Sequence, residues 1–201
     1  MKKNVLRIAL WAMVAGAGTS GMVACSGNTD NTENTDQLKQ TEEEAAVETV
    51  NAKYSTPEGF VKAADSYLAL KDGLVESKAA EAQLRASELV VDLQKVDASA
   101  LETEVAAEWT KMAGTLQNDA NTIASTTDLA SQREAFTSLS NNMIKAVETF
   151  GADKTMYLQH CPMANNNNGG SWLSSNEEIR NPYYGDAMLK CGEVQAAINT
   201  K

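Results

Sequence analysis

Cys161 and Cys191, with His160, Met163 and Met188 beside them, are the residues of this chain best suited to chemistry. The run His160-Cys161-Pro162-Met163 is followed later by Met188-Leu189-Lys190-Cys191-Gly192. The chain holds one histidine and three cysteines, and the histidine and two of the cysteines fall in these two runs. Thiolate, thioether and imidazole are ligands for soft ions, so the set suits Cu(I) or Ag(I). Cys161 and Met163 can face one point from an extended turn. Met188 and Cys191 are aligned by one helical turn. Cys161 and Cys191 are the expected core ligands, followed by Met163, Met188 and His160. Pro162 fixes one backbone angle between ligands. Zn(II) on Cys161, Cys191 and His160 would want a fourth protein ligand that is not apparent. Trp172, Tyr183 and Tyr184 can shield an ion from water or anchor a protein partner.

The same two cysteines suit a disulfide. They flank an irregular stretch, and an oxidising compartment favours closure. A Cys161–Cys191 bridge closing about thirty residues would stabilise the fold by roughly 3–4 kcal/mol. Met163 and Met188 would then be packing residues and His160 a surface residue. A redox-labile pair can also bind Cu(I) when reduced, so both readings stand.

Enzymatic chemistry has little to work with. The single histidine lies between Gln159 and Cys161, and adjacent side chains seldom face each other as nucleophile and base. No Gly-rich phosphate loop, His-Glu-x-x-His or Gly-x-Ser-x-Gly pattern occurs. Asn165 to Asn168 lack the paired carboxylates of a Ca(II) loop and read as a turn.

The amino terminus sets the compartment. Lys2, Lys3 and Arg7 precede an apolar stretch from Ile8 to about Ala17, the pattern of an export signal. Met22-Val23-Ala24-Cys25 resembles the lipobox of bacterial lipoproteins. That resemblance implies cleavage before Cys25, lipidation of its thiol and anchoring to a membrane of the cell envelope, facing the periplasm. An ordinary signal peptide would leave Cys25 as an odd thiol, whereas lipidation leaves an even pair.

Residues 26–55 carry no apolar period and read as a disordered tether. The chain has 17 basic and 27 acidic residues, a net charge of −10. Losing Lys2, Lys3 and Arg7 with the signal, and no acid, takes this to −13. Such a charge disfavours nucleic acid and anionic lipid as partners.

The elements that must position the cysteines lie in residues 56–201, long enough for one domain with a core. Four apolar-periodic segments predict helices. The first spans Pro57 to Leu74, capped by Ser55 or Thr56, with Phe60, Ala64, Tyr67 and Leu68 inward. The second spans Ser77 to Val96, with Leu84, Leu89, Val91 and Leu93 inward. The third runs from Asp97 or Ser99 to Ile123 on a stripe of Leu101, Val105, Trp109, Met112 and Leu116. The fourth spans Asp128 to Phe150, between an Asp128 or Thr127 cap and Gly151. Short links predict an all-α fold, an antiparallel four-helix bundle. Residues 152–201 read as a loop-rich Cys/Met/His segment packed on it. Within that segment, Thr155 to Leu158 is a short strand or an extended entry, Ser174 to Ile179 holds a helical turn, Asp186 to Leu189 is a short helix, and Glu193 to Ile198 is helical.

Several of these runs together resemble a known family. They are Tyr67-Leu68-Ala69-Leu70-Lys71-Asp72-Gly73-Leu74-Val75, Cys161-Pro162-Met163, Gly170-Ser171-Trp172-Leu173-Ser174, Ile179-Arg180-Asn181-Pro182-Tyr183-Tyr184-Gly185 and Met188-Leu189-Lys190-Cys191-Gly192. The chain resembles, over residues 56–196, a domain of unknown function found in exported bacterial lipoproteins and in periplasmic adaptor subunits of heavy-metal efflux pumps. The resemblance implies copper or silver handling in the periplasm, with an efflux or other metal-handling protein as partner. Cys161-Pro162-Met163 is also similar to the short metal-binding motif of efflux adaptors, with Ala164 where that motif has histidine. The expected function is a membrane-anchored lipoprotein that sequesters Cu(I) or Ag(I) or hands it to efflux partners. The alternative is a disulfide-stapled interaction module without metal.

Overall fold

A computed structural model describes residues 47–199. The export signal, Cys25, most of the expected tether and the last two residues lie outside the described residues. The described chain opens with strand β1, Glu48–Asn51, within the stretch read as tether. Four helices follow: α1 Phe60–Val75, α2 Ala79–Gln94, α3 Thr103–Ala124 and α4 Leu129–Phe150. Then come β2 Met156–Cys161, β3 Gly170–Ser174 and β4 Glu193–Asn199. The strands form one sheet in the order β1-β4-β2-β3. The β2 strand is antiparallel to both β3 and β4, while β1 runs parallel to β4.

The all-α expectation is therefore corrected to a mixed fold, a helical bundle with a four-stranded sheet. Glu193 to Ile198 is strand rather than helix. Its Glu, Gln and Ala favour helix in isolation, but pairing on both edges overrides so weak a preference. Ser174 to Ile179 forms no helical turn. The extended Thr155 to Leu158 is the start of β2. The short helix near Asp186 is a 3-10 turn, Gly185–Met188.

The bundle has the predicted helices with shifted edges. Thr56 does not cap α1; its Oγ1 donates to the Phe150 carbonyl at 2.7 Å. Asp128 caps α4 by accepting the Ser131 N–H at 2.9 Å, and Gly151 ends that helix at φ 71°. Leu84 and Val91, expected inward, are 51% and 47% exposed. The face that α2 buries holds Ala82, Ala86, Leu89 and Leu93. Its alanines admit close contact: a Cβ on Gly73 would stand 3.1 Å from the Ala82 nitrogen.

Two aromatic clusters organise the core. Phe60, Trp109 and Phe150 meet edge to face, with centroids 5.4–6.1 Å apart. A second set, Tyr67, Phe136, Tyr183 and Trp172, runs from α1 through α4 to the sheet at successive spacings of 5.6, 5.7 and 6.1 Å. No helix among the described residues is long and apolar enough to cross a membrane.

Candidate functional site

Cys161 is the last residue of β2 and is fully buried. Strand alternation puts it on the side of Gln159, two residues earlier. Gln159 is also fully buried and accepts the Trp172 Nε1–H at 2.7 Å. Its Nε2 donates to the carbonyls of Asn176 at 2.8 Å and Glu177 at 3.0 Å, which anchors the loop after β3. Gly170 is the β3 partner of Cys161. A Cβ there would stand 2.7 Å from the Tyr183 ring and 2.8 Å from the Ala164 Cβ, so only glycine lets Tyr183 seat against the strand.

Cys191 is placed by Asn181. This buried residue donates from Nδ2 to the Cys191 carbonyl at 2.9 Å. Its Oδ1 accepts the Tyr183 N–H at 2.8 Å. Its own N–H donates to the Leu189 carbonyl at 2.9 Å, and its carbonyl accepts from the Gly185 N–H at 3.0 Å. One asparagine thus folds residues 181–191 back on themselves. Arg133 ties this loop to the bundle by donating to the carbonyls of Pro182 and Leu74, each at 2.9 Å. It also donates to the Ser77 hydroxyl at 3.0 Å.

The chain then enters β4, where Glu193 pairs with His160. One step further, this register sets Gly192 opposite Cys161. Gly192 has φ 140°, and a Cβ on it would stand 2.8 Å from the His160 carbonyl and 3.0 Å from Trp172 Cη2. That conformation and close approach suit glycine alone.

The outcome is two cysteines brought side by side. The register that sets Gly192 opposite Cys161 brings Cys191 beside Cys161, close enough for the Cys161 thiol to bear on the ionisation of Cys191, with the Met163 N–H nearby. Both cysteines are free thiols. The neighbouring Cys161 thiol, and then burial, push the Cys191 thiol above the usual cysteine range, while the Met163 N–H pulls it the other way. Cys191 lines a hollow of about 270 Å³ with His160, Pro162, Met163, Gly192 and Glu193. Met163, 45% exposed, stands at its rim.

The remaining candidates fall around this pair. Met188 is half-buried and lies outside the lining of the hollow, although the Cys191 N–H donates to its carbonyl at 3.0 Å. The ring of His160 turns to β3, with Nδ1 2.9 Å from the Ser171 hydroxyl, and packs on Gly169, whose Cβ would meet it at 2.7 Å. Among the described residues, no three His, Cys, Asp or Glu side chains converge on a point. The Cys161, Cys191 and His160 set that zinc would use is not assembled. Trp172 and Tyr183 are buried and form the floor under the cysteines rather than an exposed patch. Tyr184 donates its hydroxyl to the Met163 carbonyl at 2.5 Å, fixing the backbone that carries the thioether.

The Asn165 to Asn168 turn forms as expected. Asn165, Asn166 and Asn167 adopt left-handed φ of 52°, 58° and 66°, a region asparagine tolerates. The organising roles of Asn181 and Gln159 were not apparent from sequence. Asn181-Pro182 carried only a turn signal, and Gln159 carried none.

Residues 63–155 match the model of a family described as "Protein of unknown function (DUF3347)". The matched segment covers the helices from within α1 onward and stops one residue short of β2. No curated protein and no solved structure matches the chain.

Proposed function

We propose that this protein captures a soft monovalent metal ion, Cu(I) or Ag(I), between Cys161 and Cys191. In this reading it is a lipoprotein of the cell envelope, held to the membrane through Cys25, that sequesters the ion or passes it to an efflux or other metal-handling protein. The observation that carries the reading is the placement of Cys191 beside Cys161, at a hollow rimmed by Met163. Thiolate and thioether sulfur select soft ions over hard cations. Binding requires both thiols to lose their protons, so metal affinity rises with pH. Cys161 supplies a sulfur out of reach of water, and Cys191 supplies one the ion can reach. Met163 is the third candidate donor. Met188 lies outside the lining of the hollow, and His160 lines it with its ring engaged by Ser171. The net charge of −10 is suited to a cationic cargo.

Competition for Ag(I) against a soluble chelator, with the protein reduced, tests the ligand set. Wild type is expected to withhold one equivalent, and Cys161→Ser and Cys191→Ser each to lose that ability. Equal retention by either variant would remove that cysteine from the site. The interaction-module reading is less well supported, because Trp172 and Tyr183 are occupied in the core.

A further inference from the structure

We infer that Cys161 and Cys191 are a dithiol–disulfide couple attacked first at Cys191, and that closing the couple switches off metal capture. The couple stands on the geometry of the two thiols; only the switch rests on the metal-binding reading.

Two observations carry it. The strand register sets Gly192 opposite Cys161, so Cys191, one residue earlier, lies beside Cys161 and a bond between them needs little approach. Their exposure is unequal: Cys161 is fully buried, whereas Cys191 is half-buried and lines the hollow. A reagent larger than water reaches one sulfur and not the other. The accessible thiol is open to attack a reagent, and the inaccessible one stands behind it as its resolving partner.

The chemistry balances with one co-reactant, a low-molecular-weight disulfide. The Cys191 thiolate attacks a sulfur of that disulfide, whose S–S bond breaks and releases one thiolate. A mixed disulfide remains on Cys191. The Cys161 thiolate then attacks the Cys191 sulfur, the mixed bond breaks, and a second small thiolate leaves. Two protein thiols are oxidised to one cystine, and one small disulfide is reduced to two thiols that take up the two protons. Both sulfurs are consumed in the cystine, so neither remains as a thiolate ligand.

The test is glutathione disulfide added to the full-length reduced protein, quenched over time and followed by intact mass and peptide mapping. Wild type is expected to pass through a glutathione adduct at Cys191 and to end two hydrogens lighter, with Cys161 joined to Cys191. Cys161→Ala is expected to stop at the Cys191 adduct, and Cys191→Ala to gain none at Cys161. An adduct mapped to Cys161 in wild type, where no variant has to fold, would overturn the order of attack. A stable adduct that never resolves would overturn the couple. Ag(I) binding is then measured before and after oxidation. Equal binding in both states would overturn the switch. No binding in the reduced state would also overturn it, by removing the metal reading, while the mass data still establish the couple.

Discussion

The hydroxyl of Tyr67 in α1 accepts the backbone N–H of Leu173 in β3 at 3.1 Å. It also shares a hydrogen bond of 2.6 Å with the Ser140 hydroxyl in α4. Two residues back along β3, the Tyr183 hydroxyl donates to the Ser171 carbonyl at 2.8 Å. β3 is an edge strand, and edge strands expose unpaired backbone groups. Here two phenols cover that edge and weld the sheet to the bundle. Burial drives both phenols well above the usual tyrosine range, so both remain protonated under ordinary conditions. The sheet carries Cys161, so this weld is what gives the candidate site a rigid floor.

Tyr67→Phe is expected to destabilise the protein by about 1–3 kcal/mol, because it leaves the buried Leu173 N–H and Ser140 hydroxyl without their partner. Urea unfolding checks the value. A double-mutant cycle with Ser140→Ala should be non-additive, since the two hydroxyls share one bond.

Two glycines should respond oppositely to alanine. A Cβ on Gly114, inside α3, meets nothing within 4 Å, so Gly114→Ala is expected to stabilise by about 0.5–1 kcal/mol. Gly192→Ala forces a side chain against the His160 carbonyl at a positive φ and is expected to cost roughly 1–3 kcal/mol. It should also weaken metal binding, because it displaces Cys191 from Cys161. Thermal unfolding and Ag(I) competition measure the two effects.

Acid should weaken the start of α4. Hydrogen bonds from the Ser131 side chain and N–H hold the Asp128 carboxyl below the usual aspartate range. A folded-state pKa below the unfolded one gives stability that is present above the unfolded value and lost as pH falls through the folded value. The stability difference between wild type and Asp128→Ala should therefore be constant at neutral pH and shrink in strong acid. Asp128 is exposed, so the effect is small. Urea unfolding at stepped pH follows it.

The thioether and the imidazole should separate. Met163→Leu is expected to weaken Ag(I) by about tenfold, equivalent to about 1.4 kcal/mol, through loss of a soft donor at the rim. His160→Gln should leave the affinity near wild type, because the ring is turned to Ser171. Chelator competition on the two variants compares them directly.

The helices were legible because each carries a 3.6-residue apolar stripe, as Val105, Trp109 and Leu116 do in α3. Leu84 and Val91 misled because α2 buries alanines instead, and an alanine stripe is a weak apolar signal. Of the sheet, only the start of β2 was legible. A bulge falls between Leu158 and Gln159, breaking the alternation of β2. The Glu, Gln and Ala of β4 spell helix locally and mask the alternation of Val194, Ala196 and Ile198, while β1 is short and largely exposed.

The two cysteines stood out by type and rarity, and the fold brings them together. His160 stood out for the same reason, yet strand alternation sends it to the other face of β2 from Cys161. Asn181 could not be found from sequence, since its role lies in four hydrogen bonds that exist only once residues 181–191 have folded.

Native mass spectrometry of the reduced full-length protein offered several equivalents of Cu(I) tests the central claim most directly. The account predicts a single bound ion in wild type and none in the Cys161→Ser, Cys191→Ser double variant. An adduct that survives in the double variant, or a wild type that takes up no ion, would contradict it.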